Sequence, residues 1–165
     1  MPPEYFTGLE LSSILAVLGI AASPISELRG AIPIAIIQFH FPWYYAFLLA
    51  VIGNLLPVPL ILIFLNAFFR LLSKVNCFKK MLHWISERTR RQGKIIERYG
   101  WIGLALFVAI PLPVTGAWTG SFAAVLFRLK FKHALLSIFL GILIAGTIVT
   151  CATLLGLTIY GLWKT

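Results

Sequence analysis

Apolar residues fill four long uncharged runs of this chain, and the charged residues lie between them. With histidine counted as neutral, the runs cover residues 11–26, 30–69, 99–127 and 133–163. A helix needs about 20 apolar residues to cross the hydrocarbon core of a bilayer. In lipid, a chain of this kind satisfies its backbone hydrogen bonds within helices. The pattern therefore predicts an all-α chain with about four to six membrane elements.

The first apolar stretch is interrupted by prolines and by two charges. Residues 9–22 predict a helix of about 14 residues, which reaches about 21 Å and is too short for a core of about 30 Å. Pro24 disfavours the helical conformation of the residue before it, so the helix should end there. The hydroxyls of Ser23 and Ser26 are placed to satisfy backbone groups freed by this break. We therefore predict that residues 9–41 form a re-entrant hairpin, which enters and leaves the membrane on the same side.

Residues 43–69 have the length and the flanking residues of a membrane-spanning helix. They open with the aromatic sequence Trp43-Tyr44-Tyr45, which is typical of the membrane–water interface. Pro57 and Pro59 remove two backbone donors and predict a kink in this helix. Two interpretations of Asn54 stay open, namely a hydrogen bond to a neighbouring helix and a contact with substrate.

The basic residues on either side of residues 101–127 predict a second hairpin. A single crossing would place the basic residues that follow this segment opposite to the basic stretch 70–99, against the positive-inside rule. A turn at residues 111–116, which contain two prolines and a glycine, returns the chain to the same side. Residues 133–163 then cross once. Both chain termini are therefore predicted to lie outside the cell.

Composition and charge agree with a membrane protein. Of the 165 residues, 60% are hydrophobic and 12% are charged, and the mean hydropathy is +0.95, whereas about 25% of a soluble domain is charged. The net charge is +9, and most of the 14 basic residues fall within residues 70–99. Between apolar segments, such a stretch is typical of a cytoplasmic loop, here with an amphipathic helix on the membrane surface. We therefore predict a multi-pass protein of the cell membrane whose partners are membrane lipids and not nucleic acid.

The two halves of the chain have the same predicted order of elements. Each half is a re-entrant hairpin followed by a transmembrane helix, and the two halves have opposite orientations. The sequence Ala31-Ile32-Pro33-Ile34 aligns with Ala109-Ile110-Pro111-Leu112 at an offset of 78 residues. Inverted repeats with broken elements are typical of transporters. The predicted fold is a single all-α transmembrane domain, residues 1–165, built as an inverted-topology repeat with a cytoplasmic amphipathic helix between its halves.

Two motifs carry a resemblance to a known family. The stretches SPISELRGAIPIAI (residues 23–36) and AIPLPVTGAWTG (residues 109–120), on either side of the basic loop, resemble the small multidrug export protein family of bacterial and archaeal membrane proteins. That family is in turn distantly similar to the DedA superfamily, whose members have two opposed re-entrant hairpins. The resemblance implies export or, in the DedA manner, proton-coupled movement of polyprenyl phosphate or phospholipid across the bilayer.

The charged pair in the first hairpin is the centre of the predicted site, because charges within membrane segments are expensive and mostly functional. We predict that Glu27 carries a proton or binds a cation and that Arg29 binds an anionic group such as phosphate. Two residues apart on a helix, they need not pair with each other. Two structural alternatives stay open, namely a buried ion network that holds the loop and an interfacial pair near the membrane surface. The predicted substrate- and ion-binding residues are Ser26, Glu27, Arg29, Pro33, Asn54, Pro111, Pro113, Thr115 and Thr119.

The second hairpin contributes hydroxyl groups, for which two roles stay open. Thr115, Thr119 and Ser121 are placed either to donate hydrogen bonds to a ligand or, in the case of Thr115, to cap the second arm. The sequence has no nucleophile elbow, phosphate-binding loop or cluster of metal-ligating residues. We therefore predict no enzyme activity, no metal and no cofactor.

Transport is the function that these features predict. The leading hypothesis is a proton- or ion-coupled transporter that moves an amphipathic or anionic substrate through a site between the two hairpins. A DedA-like lipid flippase or scramblase and a non-transporting membrane scaffold are the alternatives. The predicted partners are membrane lipids, a small or lipid-like substrate and a second copy of the chain.

Overall fold

The computed structural model describes residues 9–72, 100–111 and 115–163, and every regular element within them is an α-helix. The amphipathic helix predicted for the basic loop lies outside the described residues, and so does Pro113. The helices are α1 (Leu9–Ala22), α2 (Glu27–Ile37), α3 (Trp43–Leu55), α4 (Pro57–Leu72), α5 (Trp101–Ala109), α6 (Ala117–Leu126) and α7 (Phe131–Trp163).

Two helical stretches in the described part of the chain are long and apolar enough to cross a membrane. They are Trp43–Leu65, with 23 residues and a mean hydropathy of 2.6, and Phe131–Gly161, with 31 residues and a mean hydropathy of 2.4. Helices α1, α2, α5 and α6 have 14, 11, 9 and 10 residues. Each is too short for a core of about 30 Å. The prediction of an all-α chain with two candidate spanning stretches is confirmed, and the re-entrant course of the short helices stays a prediction.

The prolines in the first long stretch separate α3 from α4. Helix α3 ends at Leu55, and α4 begins at Pro57. Between them, the N–H of Leu56 donates to the carbonyl of Ile52 at 3.0 Å. Proline is tolerated in the first turn of a helix, where the missing N–H would have no intrahelical partner in any case. Pro57 and Pro59 both lie in the first turn of α4, and Leu56 between the two helices keeps helical backbone angles, so a kink at these prolines stays a prediction.

The chain divides into two compact units, and the first contains α1, α2, α3 and the part of α7 from Leu143 onward. Its helices approach closely at glycines. A β-carbon on Gly53 would lie 2.7 Å from that of Ala21, and one on Gly146 would lie 2.8 Å from Cε2 of Phe47. Small apolar side chains dominate the buried core of this unit, which includes Val17, Ala21, Leu28, Ala31, Ile32, Ala35, Ala46 and Ala50.

The second unit contains α4, α5, α6 and the part of α7 up to Ile142. A β-carbon on Gly141 would lie 2.8 Å from the carbonyl oxygen of Ala105, and one on Gly120 would overlap the side chain of Val108. Each unit therefore consists of a pair of short helices, one half of the stretch 43–72 and one half of α7. The buried core of the second unit includes Val58, Leu62, Leu104, Val108, Ala124, Ile138 and Ile142.

Large apolar side chains are exposed on the long helical stretches. On α4, Leu60, Ile63 and Phe64 leave 66%, 58% and 70% of their surface exposed. Their spacing of three and four residues puts them on one face of the helix. An exposed apolar face of this kind is unusual for a soluble monomer and typical of a surface that contacts a membrane or another protein.

Candidate functional site

The tip segment, residues 23–26, connects α1 to α2 in the first unit. Pro24 has no N–H and disfavours the helical conformation of the residue before it, which explains why α1 ends at Ala22. The hydroxyl of Ser23 accepts a hydrogen bond from the N–H of Ile25 at 3.4 Å. Ser23 therefore satisfies a backbone group at the break, as its position in the sequence predicts.

Ser26 immediately precedes α2 but does not cap it. Its side chain makes no capping hydrogen bond, while its carbonyl oxygen accepts from the N–H of Gly30 at 3.1 Å. A β-carbon on Gly30 would lie 3.0 Å from Cβ of Ser26 and 3.7 Å from Cγ2 of Ile20. The first turn of α2 therefore lies beside the last turn of α1. The binding of substrate by Ser26 stays a prediction.

Glu27 is a buried carboxylate in a strained backbone conformation. It is the first residue of α2, it is 7% exposed, and its φ is 48°. This left-handed conformation costs a non-glycine residue about 1–2 kcal/mol. The start of a helix carries a partial positive charge, which favours a carboxylate there. A residue that is held in such a conformation in spite of its cost is a candidate for a functional role.

Arg29 lies in the first turn of α2 and is partly exposed. Its guanidinium interacts electrostatically with the carboxylate of Glu27. The sequence predicts that the two charges need not pair in a regular helix, and the left-handed φ of Glu27 departs from regular helical geometry. Pro33, inside α2, has no N–H to donate to the carbonyl of Arg29. Binding of a ligand by Arg29 and Pro33 stays a prediction.

Asn54 is the most deeply buried polar residue of α3. Its side chain has no exposed surface, and neither its Oδ1 nor its Nδ2 has a hydrogen-bond partner among the described residues. A buried polar group without a partner costs about 1–3 kcal/mol. The structure therefore does not support a hydrogen bond from Asn54 to a neighbouring helix. A contact of Asn54 with a ligand stays a prediction.

Close packing puts Asn54 at the same end of the first unit as the tip segment. A β-carbon on the preceding residue, Gly53, would lie 2.9 Å from the carbonyl oxygen of Leu18 and 2.7 Å from Cβ of Ala21. The last turn of α3 therefore lies against the last turns of α1. The tip segment follows Ala22 directly. Asn54 and Glu27 therefore lie at one end of the group formed by α1, α2 and α3.

In the second unit, the segment between α5 and α6 carries the other predicted site residues. Pro111 is partly buried just after α5. The hydroxyl of Thr115 donates to the carbonyl of Ile110, which ties the two ends of this segment together. The Oγ1 of Thr119 accepts from the N–H of Gly116 at 3.0 Å. Thr119 therefore caps α6, and a capping role for Thr115 stays a prediction.

Hydroxyl groups of the second unit bond mainly within their own helices. Ser121 donates to the carbonyl of Ala117 at 2.7 Å, and Ser137 donates to that of His133 at 2.7 Å. Pro111, Thr115 and Thr119 belong to the second unit, whereas the other described site residues belong to the first. A single site lined by both hairpins stays a prediction.

Two buried polar residues of the described chain, Ser137 and Thr150, were not predicted from the sequence, and Thr150 differs from Ser137 in its hydrogen bonding. It lies on α7 within the first unit, it is 5% exposed, and its Oγ1 has no hydrogen-bond partner in the described part of the chain. A threonine inside a helix often donates to the carbonyl four residues earlier, as Thr153 does to Val149 at 2.8 Å. The sequence therefore carries no signal that sets Thr150 apart from its neighbours.

Comparison with known proteins gives a match to a family model only. No curated protein and no solved structure matches the chain, so the similarity to the DedA superfamily stays a prediction. The family model described as "Putative small multi-drug export protein" matches residues 27–148, from Glu27 to the middle of α7. Because the match covers well over half of the 165 residues, including residues 27–36 of the first motif and all of the second, the chain belongs to the family of small multi-drug export proteins.

Proposed function

We propose that this chain is a secondary membrane transporter that exports a small amphipathic substrate and uses Glu27 to bind the coupling ion or the substrate. Membership of the family supports the general function of export. The observation that carries the proposal is the Glu27 carboxylate, which is 7% exposed and lies at a helix break with a φ of 48°. Ionisable groups within membrane segments are expensive, and they commonly mark ion or substrate pathways.

The proposed architecture is an inverted-topology repeat with two re-entrant hairpins. Its first support is length, because α1, α2, α5 and α6 are each too short to cross a bilayer. Its second support is the matching helix content of the two compact units. Each unit holds one pair of short helices, one half of the stretch 43–72 and one half of α7. In transporters of this kind, broken helices bind ions and substrates near the middle of the membrane.

The interaction between Glu27 and Arg29 can couple the binding of the ion to the binding of the substrate. Without the ion, the guanidinium of Arg29 interacts electrostatically with the Glu27 carboxylate. A proton or cation on Glu27 weakens that interaction. Arg29 then becomes available to the anionic or polar group of a substrate, so that binding of the ion changes the binding of the substrate.

Purified protein in liposomes tests this proposal. The readouts are the release of trapped ethidium, proton movement reported by internal pyranine, and flipping of a fluorescent phospholipid. The wild-type protein should release ethidium faster than protein-free liposomes do. Glu27→Gln keeps the size of the side chain and removes its charge, and it should reduce this rate at least about tenfold. Glu10→Gln is the matched control on α1 and should retain the wild-type rate.

Two results would contradict transport through Glu27. One is a wild-type protein that moves ethidium, protons and labelled lipid no faster than empty liposomes. The other is a Glu27→Gln variant as active as the wild type. Flipping of labelled lipid without release of ethidium would instead support the flippase hypothesis.

A further inference from the structure

Three helix ends meet at one end of the first unit. A β-carbon on Gly53 would lie 2.9 Å from the carbonyl oxygen of Leu18, which brings the last turn of α3 against the end of α1. The approach of Gly30 to Ile20 brings the first turn of α2 to the same place. The C-terminal ends of α1 and α3 therefore lie at the level of the buried Glu27.

Hydrogen-bond acceptors outnumber donors in the last turn of α3. Pro57 and Pro59 have no N–H, so the carbonyls of Gly53 and Leu55 lack the donor that a helix normally supplies four residues later. In the same turn, the fully buried side chain of Asn54 adds an acceptor, Oδ1, and a donor, Nδ2, and neither has a hydrogen-bond partner within the described residues. Lipid offers no water to satisfy such groups.

The charges at this end of the unit favour a cation. The C-terminal ends of α1 and α3 each carry a partial negative charge, the start of α2 carries a partial positive one, and Glu27 adds a full negative charge. Arg29, the neighbouring positive group on α2, is partly exposed. Unwound backbone carbonyls and helix C-terminal ends are the groups that coordinate Na⁺ in transporters with broken helices.

We propose that this end of the first unit binds a monovalent metal cation, Na⁺ in particular. The side-chain ligands are the carboxylate of Glu27 and Oδ1 of Asn54, and carbonyl oxygens in the last turn of α3 complete the site. The assignment rests on the proposed transport function and names the coupling ion of that function.

Other small ligands fit these groups less well. A proton would neutralise Glu27 but leave the buried amide of Asn54 without a partner. A divalent cation prefers several carboxylates, and no group of three or more His, Cys, Asp or Glu residues suitable for a metal occurs within residues 9–72, 100–111 and 115–163. An anion suits Arg29 but not the Glu27 carboxylate, the Oδ1 of Asn54 or the negative ends of α1 and α3.

Arg29 competes with the cation for Glu27, because both neutralise the same carboxylate. Arg29→Gln removes the competitor and leaves the proposed ligands in place. This variant should therefore bind Na⁺ at a several-fold lower concentration than the wild type does.

Thermal unfolding of the purified full-length protein in detergent tests the site without any transport measurement. Tryptophan fluorescence is followed in NaCl and in choline chloride at equal ionic strength. The wild-type Tm should rise with NaCl in a saturable way by about 3–5 °C. Glu27→Gln and Asn54→Leu should lose this rise. Ser121→Ala, which removes a buried hydroxyl of the second unit that already has a partner, should retain it.

The Tm of Asn54→Leu in choline chloride shows whether Asn54 binds the cation or only supports the packing of the helices. If Asn54 serves the cation, removal of its unpartnered amide leaves this Tm unchanged or raises it. A Tm lowered equally in both salts would mean that Asn54 only supports the packing, and it would overturn the proposal. So would a wild-type Tm that does not respond to NaCl. Ethidium export by a protein that shows no Na⁺ response would overturn the cation site alone and leave the transport proposal standing.

Discussion

Gly53 of α3 packs against Ala21 of α1 so closely that a β-carbon on Gly53 would lie 2.7 Å from the β-carbon of Ala21. The nearest backbone atom is the carbonyl oxygen of Leu18, which would lie at 2.9 Å. A backbone atom cannot rotate away, so the contact defines the distance between the two helices. Through this contact, the last turn of α3 and the tip segment lie at one end of the first unit.

Gly53→Ala should destabilise the protein by about 1–3 kcal/mol, because the added methyl group forces α1 and α3 apart. The measurement is the midpoint of thermal unfolding in detergent. Gly19→Ala on α1 is the control, since a β-carbon there meets nothing within 4 Å. That substitution should stabilise the helix slightly. Equal midpoints for Gly53→Ala and the wild type would show that α1 and α3 do not approach as described.

Gly141→Ala tests the packing of α5 against α7 in the second unit. A β-carbon on Gly141 would lie 2.8 Å from the carbonyl oxygen of Ala105 and 2.6 Å from Cβ of Val108. We expect a loss of about 1–3 kcal/mol, measured in the same unfolding experiment. Gly156→Ala, on the same helix with nothing within 4 Å, should unfold no earlier than the wild type. If both variants behave alike, the contact at Gly141 is absent.

Thr119→Val should cost about 1 kcal/mol of stability, because it removes the oxygen that accepts from the N–H of Gly116 at the start of α6. Valine keeps the shape of the side chain, so the loss reports on the hydrogen bond. Thr147→Val is the matched control. Thr147 is exposed, and its hydroxyl donates to the carbonyl of Leu143 within the same helix. A loss at position 147 as large as that at 119 would rule out a special role for the cap.

Arg128→Gly should stabilise the protein by about 1 kcal/mol. Arg128 follows α6 with a φ of 54°, and its N–H donates to the carbonyl of Val125 at 3.0 Å. Glycine adopts this conformation without the cost that other residues bear. Arg128→Ala removes the charge but keeps the strain, so its Tm should stay near that of the wild type. A rise in Tm for both variants would assign the effect to charge instead of backbone conformation.

Cysteine labelling tests the predicted course of the chain through the membrane. In a background with Cys77 and Cys151 replaced by serine, Pro3→Cys and Thr165→Cys should both react with an impermeant maleimide added to intact cells. Two hairpins and two crossings place both termini outside. Labelling at only one terminus would require an odd number of crossings and would contradict the proposed repeat.

The local features of the fold followed from the sequence by itself. The order of the helices, the end of α1 before Pro24 and the boundary at Pro57 depend on missing N–H groups and on the lengths of uncharged runs. Those properties belong to short stretches of chain. Residues 101–127 likewise contain two separate helices, α5 and α6, whereas the return of the chain to the same side of the membrane stays a prediction.

The character of the candidate site was decided only by the tertiary structure. The sequence placed a carboxylate at the break but did not show that Glu27 is buried with a left-handed backbone or that it interacts with Arg29. It left Asn54 between two roles, and only the packing of α3 showed that its buried amide has no hydrogen-bond partner among the described residues. The burial of a side chain and its hydrogen-bond partners depend on which faces of the helices pack together. Residues that are distant in sequence determine that packing.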